Sequence, residues 1–187
     1  DRVGKGFRND NGFFSQADYL NWYQESRYKW VDVGMFSEVA AYLNVGRKQE
    51  NNGKLIYSQA IPGIRFAAPR GTFVGIEARV NPNTRVREEG TPLKRDQFFV
   101  FVESAPGTTL SRIYVEAAIG DRADLANNRV RRGYYIGANG LLRLSDRWEI
   151  EPRIDESMMG KEDILTRGND FVIRERAVQI TSVYHFT

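Results

Sequence analysis

The sequence predicts an all-β fold, and more specifically an antiparallel up-and-down transmembrane β-barrel. Apolar and polar residues alternate with a period of two in segment after segment, as they do in strands whose two faces meet different surroundings. The connections between these segments alternate between short and long, which is typical of outer-membrane barrels, with tight turns at one rim and long loops at the other. No apolar run approaches 18 residues, which excludes a transmembrane helix.

Nine strands are predicted in chain order. The alternation is plainest in segment 147–155, where Trp148 and Ile150 alternate with Glu149 and Glu151. The second strand would be about fifteen residues long, well beyond the five or six residues typical of soluble sheets. The predicted strands are 13–24, 31–45, 54–67, 72–81, 97–104, 111–120, 132–144, 147–155 and 171–186.

Two prolines fall inside predicted strands. Pro62 and Pro152 each lack the N–H group that a strand donates to its neighbour. Bulges or weak pairing are therefore expected at both positions.

The predicted connections follow one another with alternating lengths. In chain order they are a moderate loop at 48–53, a short turn at 68–71, a long loop at 82–96, a short turn at 105–109, a long loop at 121–131, a minimal turn at 145–146 and a long loop at 156–170. A soluble Greek-key sandwich also mixes loop lengths but has no reason to alternate them so regularly. This alternation favours the barrel, and a soluble barrel or sandwich remains the alternative.

The strand count bears on the domain organisation. Residues 1–187 are interpreted as one β-barrel domain or a fragment of one. If the short turns are periplasmic, nine strands place the N-terminus outside the cell, whereas bacterial single-chain barrels normally have even strand numbers and periplasmic termini. We therefore expect at least one further strand before residue 1, and expect that the nine strands do not close into a barrel by themselves. The alternative is that residues 13–24, which have no clean alternation, are miscounted as a strand.

Alternate residues of a strand form two sets, here called its two parities, and the two sets are predicted to lie on opposite faces. In the barrel interpretation, the apolar parity faces lipid and the charged parity lines the lumen. The predicted lipid-facing residues are Val33, Val39, Val74, Ile76, Ile113, Val115, Ile136, Ile150 and Ile154. The predicted lumen-lining residues are Glu38, Arg65, Glu77, Arg79, Arg112, Glu116, Arg143, Glu149, Glu151 and Arg153. Their mixed signs predict cross-strand ion pairs and little ion selectivity.

The last predicted strand ends in aromatic residues. Its apolar parity includes Val178, Ile180, Tyr184 and Phe186, which suits a strand with an interfacial aromatic girdle. This ending is similar to the C-terminal signature of outer-membrane barrels, although there the aromatic residue is normally the last one and here Thr187 follows it.

A longer stretch resembles a known family. The segments "IGDRADLANNRVRRGYYIGANGLLRLSDRWEIEPRID" and "FVIRERAVQITSVYHF" resemble the C-terminal region of an uncharacterised family of bacterial outer-membrane proteins with an N-terminal carbohydrate-binding-type domain. No such domain is expected within these 187 residues, and family members usually continue past the position equivalent to Phe186. The resemblance implies an outer-membrane location and a possible carbohydrate solute.

Composition narrows the function classes. The 27 basic and 24 acidic residues are spread along the chain and give a net charge of only +3, so no clustered nucleic-acid surface is predicted. The chain has no cysteine, which excludes disulfides and thiolate metal sites. No cofactor is expected.

Three arginines form the main candidate binding site outside the lumen. Arg129, Arg131 and Arg132 lie near the end of a predicted long loop, where guanidinium groups could bind lipopolysaccharide phosphates. The alternative is that they are ordinary solvated loop charges.

No catalytic site is predicted. Glu149 and Glu151 have a spacing compatible with paired glycosidase carboxylates, but neutralised lumen charges are the simpler interpretation. His185 is the only histidine, so a histidine-rich metal site is impossible. Two function classes remain: a structural or pore-forming outer-membrane barrel in contact with lipid and further strands, or a soluble β-protein that binds a small ligand or a protein.

Overall fold

Eleven antiparallel strands form one up-and-down sheet in the computed structural model, which describes residues 2–3, 19–85, 90–124, 129–160 and 171–186. No described residue is helical, so this part of the chain holds no helix that could cross a membrane. The strands are β1 Arg2–Val3, β2 Tyr19–Val33, β3 Phe36–Glu50, β4 Leu55–Ala68, β5 Thr72–Thr84, β6 Leu93–Lys94, β7 Gln97–Ser104, β8 Leu110–Asp124, β9 Arg129–Ser145, β10 Trp148–Gly160 and β11 Phe171–Tyr184.

The order of strands in the sheet follows the chain. Each long strand pairs with the next, while the two-residue β1 pairs with β2 and the two-residue β6 pairs with β5. The predicted all-β antiparallel fold is therefore confirmed. The sheet does not close, because β2 and β11 do not pair with each other over their described lengths.

The first two predicted strands, 13–24 and 31–45, were misplaced. The predicted strand 31–45 is in fact interrupted by a turn at residues 34–35 between β2 and β3, with Gly34 at φ +61°. The apolar alternation runs through this turn, so hydrophobic pattern alone gave no sign of it. The predicted strand 13–24 matches only the start of β2, and residues 13–18 lie outside the described part of the chain.

The connections leave the sheet at two edges. The short-turn edge holds the connections at 34–35, 69–71, 105–109 and 146–147. The long-loop edge is the opposite one, where β3, β5, β8 and β10 end. The predicted loop 121–131 was too long, because β8 and β9 extend into it as far as Asp124 and Arg129. Residues 161–170, from the last predicted loop, are outside the described residues.

The prolines weaken pairing on one side of each strand. The β4–β5 register passes from the pair Ala60–Val80 to the pair Gly63–Glu77, which skips Pro62. The β9–β10 register likewise passes from Ile150–Leu142 to Arg153–Asn139 and skips Pro152. On their other sides Pro62 pairs with Leu43 and Pro152 pairs with Ile180. Weak pairing at both prolines is confirmed.

The register sorts the side chains onto two faces, because directly paired residues lie on the same face. The polar face is the one that carries Glu77, Phe99, Ala118 and Tyr135, which are successive partners on β5, β7, β8 and β9. The apolar face is the one that carries Val39, Phe66, Val74, Val102, Val115, Ala138, Ile154 and Val178. Seven of these eight positions carry apolar side chains larger than alanine, and the eighth is Ala138.

The two faces of strands β7–β11 differ in exposure. Large apolar side chains on the apolar face of β9–β11 are exposed, with Ile136 at 48%, Ile154 at 51% and Ile180 at 70%, whereas Val39 on the same face of β3 is buried at 8%. Phe99 and Ala118 on the polar face are buried, at 9% and 6%. In a soluble sheet the face rich in large apolar residues would be the covered one.

Candidate functional site

All ten predicted lumen-lining residues lie on the polar face. Strand pairing shows this, because direct partners share a face: Arg65 is the partner of Gly75, and Glu116 is the partner of Gly137. The full set is Glu38, Arg65, Glu77, Arg79, Arg112, Glu116, Arg143, Glu149, Glu151 and Arg153. Strict alternation along each strand thus brings residues distant in sequence to one surface.

A tyrosine joins two carboxylates at the centre of strands β8–β10. The Tyr135 hydroxyl lies 3.0 Å from Glu116 Oε1 and 2.8 Å from Asp155 Oδ1. Its single proton can be donated to only one of these oxygens at a time. Tyr114 donates to the other oxygen of Glu116 at 2.9 Å, and Arg153 donates to Asp155 at 2.6 Å. This Tyr135 network therefore links three strands through charge-assisted hydrogen bonds.

A second network lies on strands β3–β5. The Tyr42 hydroxyl donates to Glu77 Oε1 at 3.0 Å, which reaches from β3 to β5 across β4. Arg79 donates to Glu77 Oε2 at 3.2 Å, and its guanidinium lies 4.3 Å from the centre of the Phe99 ring. Side chains that meet across an intervening strand do so on the side toward which a sheet curls. The same reach occurs in the hydrogen bond from Arg122 on β8 to Ser157 on β10.

Two glycines leave room for aromatic rings on the polar face, and Gly63 on β4 lies between Tyr42 and Glu77. Gly63 is the direct partner of Tyr42, and a Cβ placed there would come within 2.4 Å of the tyrosine ring. A Cβ at Gly75 would come within 2.0 Å of the ring of its partner Phe101. The rings thus lie over bare backbone, an arrangement known to stabilise glycines in strands.

The expected cross-strand ion pairs form at only some of the predicted positions. Arg143 on β9 donates to Glu149 on β10 at 2.9 Å, and Lys29 on β2 binds Glu38 on β3 at 2.8 Å. The pairs of Glu77 and of Arg153 instead run along one strand, to the residue two positions away. Arg65 lies over the Phe73 ring at 4.3 Å.

Three charged residues surround a small recess on the polar face. Arg112, Glu151 and Arg153 line it together with Asn139 and Gln179, and its volume is about 240 Å³. It has both donors and acceptors, so it could bind a polar, uncharged group without a strong preference for either charge.

Sequence reasoning missed the tyrosines of these networks. Tyr42, Tyr114 and Tyr135 are as central as the charged residues they contact. Their positions could have identified them, since Tyr114 lies midway between Arg112 and Glu116 and therefore has the charged parity. They were overlooked because a tyrosine fits either face of a barrel strand.

The three candidate lipopolysaccharide-binding arginines separate onto two faces. Arg129 and Arg131 lie on the polar face, and their Nε atoms contact Asp124 Oδ2 at 3.0 and 3.1 Å. Arg132 lies on the apolar face, where its Nε is 3.3 Å from Asp121 Oδ1. All three are strand residues with acidic neighbours.

His185 lies at the short-turn edge. Its Nε2 is 4.0 Å from Glu149 Oε2, and Glu149 is also bound by Arg143. Within the described ranges, no group of three or more acidic or histidine side chains has the geometry of a metal site.

No family model, no curated protein and no solved structure matches this chain. The resemblance of residues 119–155 and 171–186 to an outer-membrane family therefore stays a prediction.

Proposed function

We propose that this chain forms part of the wall of a transmembrane β-barrel in the outer membrane of a Gram-negative bacterium. In this proposal the apolar face contacts lipid and the polar face lines an aqueous lumen. The protein would act as a structural or pore-forming barrel, with no enzymatic activity.

The exposure of the apolar face carries this proposal. Val115, Ile119, Ile136, Ile154 and Val178 are between 40% and 65% exposed and lie side by side on four consecutive strands. Apolar area costs roughly 25 cal/mol for each Å² left in water. A contiguous apolar surface of this kind needs a cover, and a strand region with its polar side chains on the opposite face matches the inverted pattern of membrane barrels.

The strand lengths also support a membrane-spanning wall. Most long strands have 13 to 17 residues. A tilted strand needs about 9 to 11 residues to cross a bilayer. The excess can extend beyond the hydrocarbon region, where the strands meet their connections.

The open edges require further strands. The outer edge of β2 from Asn21 to Val33 and the outer edge of β11 have no pairing strand among the described residues. Unpaired backbone groups are not tolerated in hydrocarbon. We therefore propose that strands from elsewhere in the same protein, or from a partner chain, complete the wall.

The proposed solute is polar and uncharged. Glu77, Arg79, Glu116, Arg153 and their neighbours place both signs of charge on the polar face, which gives little selection by charge. A carbohydrate has this chemistry, and the resemblance to a family with a carbohydrate-binding-type domain supports the same choice.

Detergent dependence tests the membrane proposal. The protein is expected to aggregate without detergent and, in detergent, to run at different gel positions with and without boiling, as membrane barrels do. A chain that stays monomeric in detergent-free buffer and shows one gel position would overturn it and favour the soluble alternative.

Conductance tests the pore. Protein inserted into planar bilayers is expected to conduct with a reversal potential near zero under a salt gradient. A strongly cation- or anion-selective conductance would contradict the mixed-charge lumen. The absence of conductance in inserted protein would exclude the pore-forming role and leave only the structural one.

A further inference from the structure

The charges on the apolar face are confined to one end of strands β8–β11. Going along β11 from the short-turn edge, the residues on this face are Tyr184, Ser182, Ile180 and Val178, and then Arg176 and Arg174. The change is equally abrupt on β10, where Ile154 is followed by Glu156. Over the described part of these four strands, the charged residues on the apolar face are Asp121, Arg132, Glu156, Arg174 and Arg176, all on the long-loop side.

Two of these arginines form an exposed cluster with their neighbours, which we call the Arg174–Arg176 cluster. Arg176 donates to Glu156 Oε2 through Nε at 2.9 Å and Nη2 at 2.5 Å, and Arg174 donates to Glu156 Oε1 at 3.2 Å. The Tyr134 hydroxyl donates to the same Oε1 at 2.8 Å.

The cluster has an excess of positive charge and of donors. Two guanidinium groups share one carboxylate, whose side chain is only 17% exposed, whereas those of Arg174 and Arg176 are 47% and 59% exposed. Each guanidinium has five N–H donors, so most of them still point away from Glu156. Glu156 therefore holds both arginines in place without neutralising the pair.

The cluster lies at the height where lipid headgroups would be. Arg176 is two residues beyond the apolar Val178, a step of about 7 Å along a strand. Tyr134 provides an aromatic ring at the same boundary, as in the aromatic girdles of membrane barrels.

We propose that the Arg174–Arg176 cluster binds the phosphate of an anionic membrane-lipid headgroup at the long-loop side of the apolar face. This inference rests on the proposed function, because it requires lipid against that face. Arginine suits the task since its planar donors match phosphate oxygens in pairs. The positive charge of the cluster favours an anion. The cluster also adjoins the apolar surface, which the acyl chains of a lipid would contact and a free anion would not.

A lipid titration tests the proposal. The whole chain in neutral detergent is titrated with phosphatidylglycerol or with zwitterionic phosphatidylcholine, and bound lipid is measured by native mass spectrometry. Phosphatidylglycerol is expected to bind more tightly. Removing one arginine, as in Arg174→Gln or Arg176→Gln, should weaken its binding about fivefold, the factor that corresponds to one basic residue near an anionic surface.

The chain offers a matched control. Arg143 and Arg153 lie on the polar face, are 57% and 58% exposed, and each donates from Nε to a carboxylate. The double variant Arg143→Gln/Arg153→Gln removes the same charge but should bind phosphatidylglycerol as tightly as the natural sequence.

The outcomes separate this inference from the proposed function. The double variant Arg174→Gln/Arg176→Gln is compared with this control. Equal loss of binding in the two double variants, or no loss in Arg174→Gln/Arg176→Gln, overturns the lipid site even if the protein inserts into membranes. Tighter binding of inorganic phosphate than of phosphatidylglycerol also overturns it. Protein that needs no detergent at all overturns the membrane proposal itself. Unchanged heat-dependent gel mobility identifies variants that remain folded.

Discussion

Single contacts on the polar face decide how tightly neighbouring strands pack. Gly75 on β5 leaves no room for a side chain, because an added Cβ would lie 2.0 Å from the ring of its partner Phe101 on β7. The Phe101 ring also stacks on Tyr114 at 6.2 Å between ring centres. A side chain at position 75 would displace the ring and with it the stacking. The glycine is therefore a packing requirement, and the sequence places it inside the predicted strand 72–81 but does not show which ring covers it.

The variant Gly75→Ala is expected to lower the free energy of unfolding by about 1 to 3 kcal/mol, the usual cost of overpacking. Urea titration of detergent-solubilised or vesicle-embedded protein measures this. Gly107→Ala is the control, because a Cβ there has no neighbour within 4 Å. Replacing Phe101 by Leu in the Gly75→Ala background should recover part of the loss. Equal stability of Gly75→Ala and the natural sequence would show that the ring moves freely.

A buried carboxylate provides the second test of a single residue. Asp124 has a side chain that is 1% exposed and contacts Arg131, which is 11% exposed, and the half-exposed Arg129. The variant Asp124→Asn should destabilise the protein by about 3 kcal/mol, since removing one partner of a buried ion pair leaves an uncompensated charge. Glu149→Gln, in the exposed pair with Arg143, should cost less than about 1 kcal/mol. Similar urea midpoints for the two variants would contradict this difference.

Strands and their faces could be predicted because alternation is a property of each strand alone. Residues 97–104 form β7 as predicted, and β10 begins within one residue of its predicted start. The turn at 34–35 could not be found in this way, since the apolar alternation continues across it. Loop 121–131 was overestimated because Asp121 and Arg122 look like loop residues, whereas their partners Arg132 and Arg131 hold them in the ladder.

The same alternation yields a test of what the apolar face contacts. Val115 is 40% exposed in the middle of β8 on this face. Val115→Arg should lower the free energy of unfolding in lipid vesicles by about 2 to 4 kcal/mol if the face contacts hydrocarbon. In water, the same change at an exposed site would cost no more than about 0.5 kcal/mol.

Thr108→Arg is the control for this experiment. Thr108 is exposed in the connection 105–109, away from the strands, so the same added charge should have little effect there. A Val115→Arg variant as stable as Thr108→Arg would indicate that the apolar face is hydrated.

The arrangement of the whole sheet depends on contacts that one strand cannot encode. The networks of Tyr42 with Glu77 and of Tyr135 with Glu116 and Asp155 each span three strands, so they follow from the pairing and register of those strands and not from any one segment. Which strands cover the outer edges of β2 and β11 is likewise absent from the alternation pattern. In the sequence, the odd number of predicted strands and the resemblance to a family with longer chains indicated an open sheet.

Strand direction predicts how the edges are completed. β2 and β11 both run from the long-loop edge to the short-turn edge, so direct closure would make a parallel pair in an antiparallel sheet. β1, by contrast, pairs antiparallel with the start of β2 through Arg2–Leu20 and Val3–Tyr19. An additional strand that continues the direction of β1 would therefore fit the β2 edge, as in the even-numbered barrels of bacteria.

Introduced cysteines test this expectation, and the natural chain has none to interfere. Asn21 or Glu25 on β2, each replaced by Cys together with Gln179→Cys or Thr181→Cys on β11, should form no disulfide in vesicles, because a disulfide needs Cα atoms within about 7 Å. Asn21→Cys with Lys48→Cys is the positive control, since these residues are direct partners. Efficient oxidation of any β2–β11 pair, seen as a mobility shift on a non-reducing gel, would mean that the nine long strands close by themselves and that no further strand lies between them.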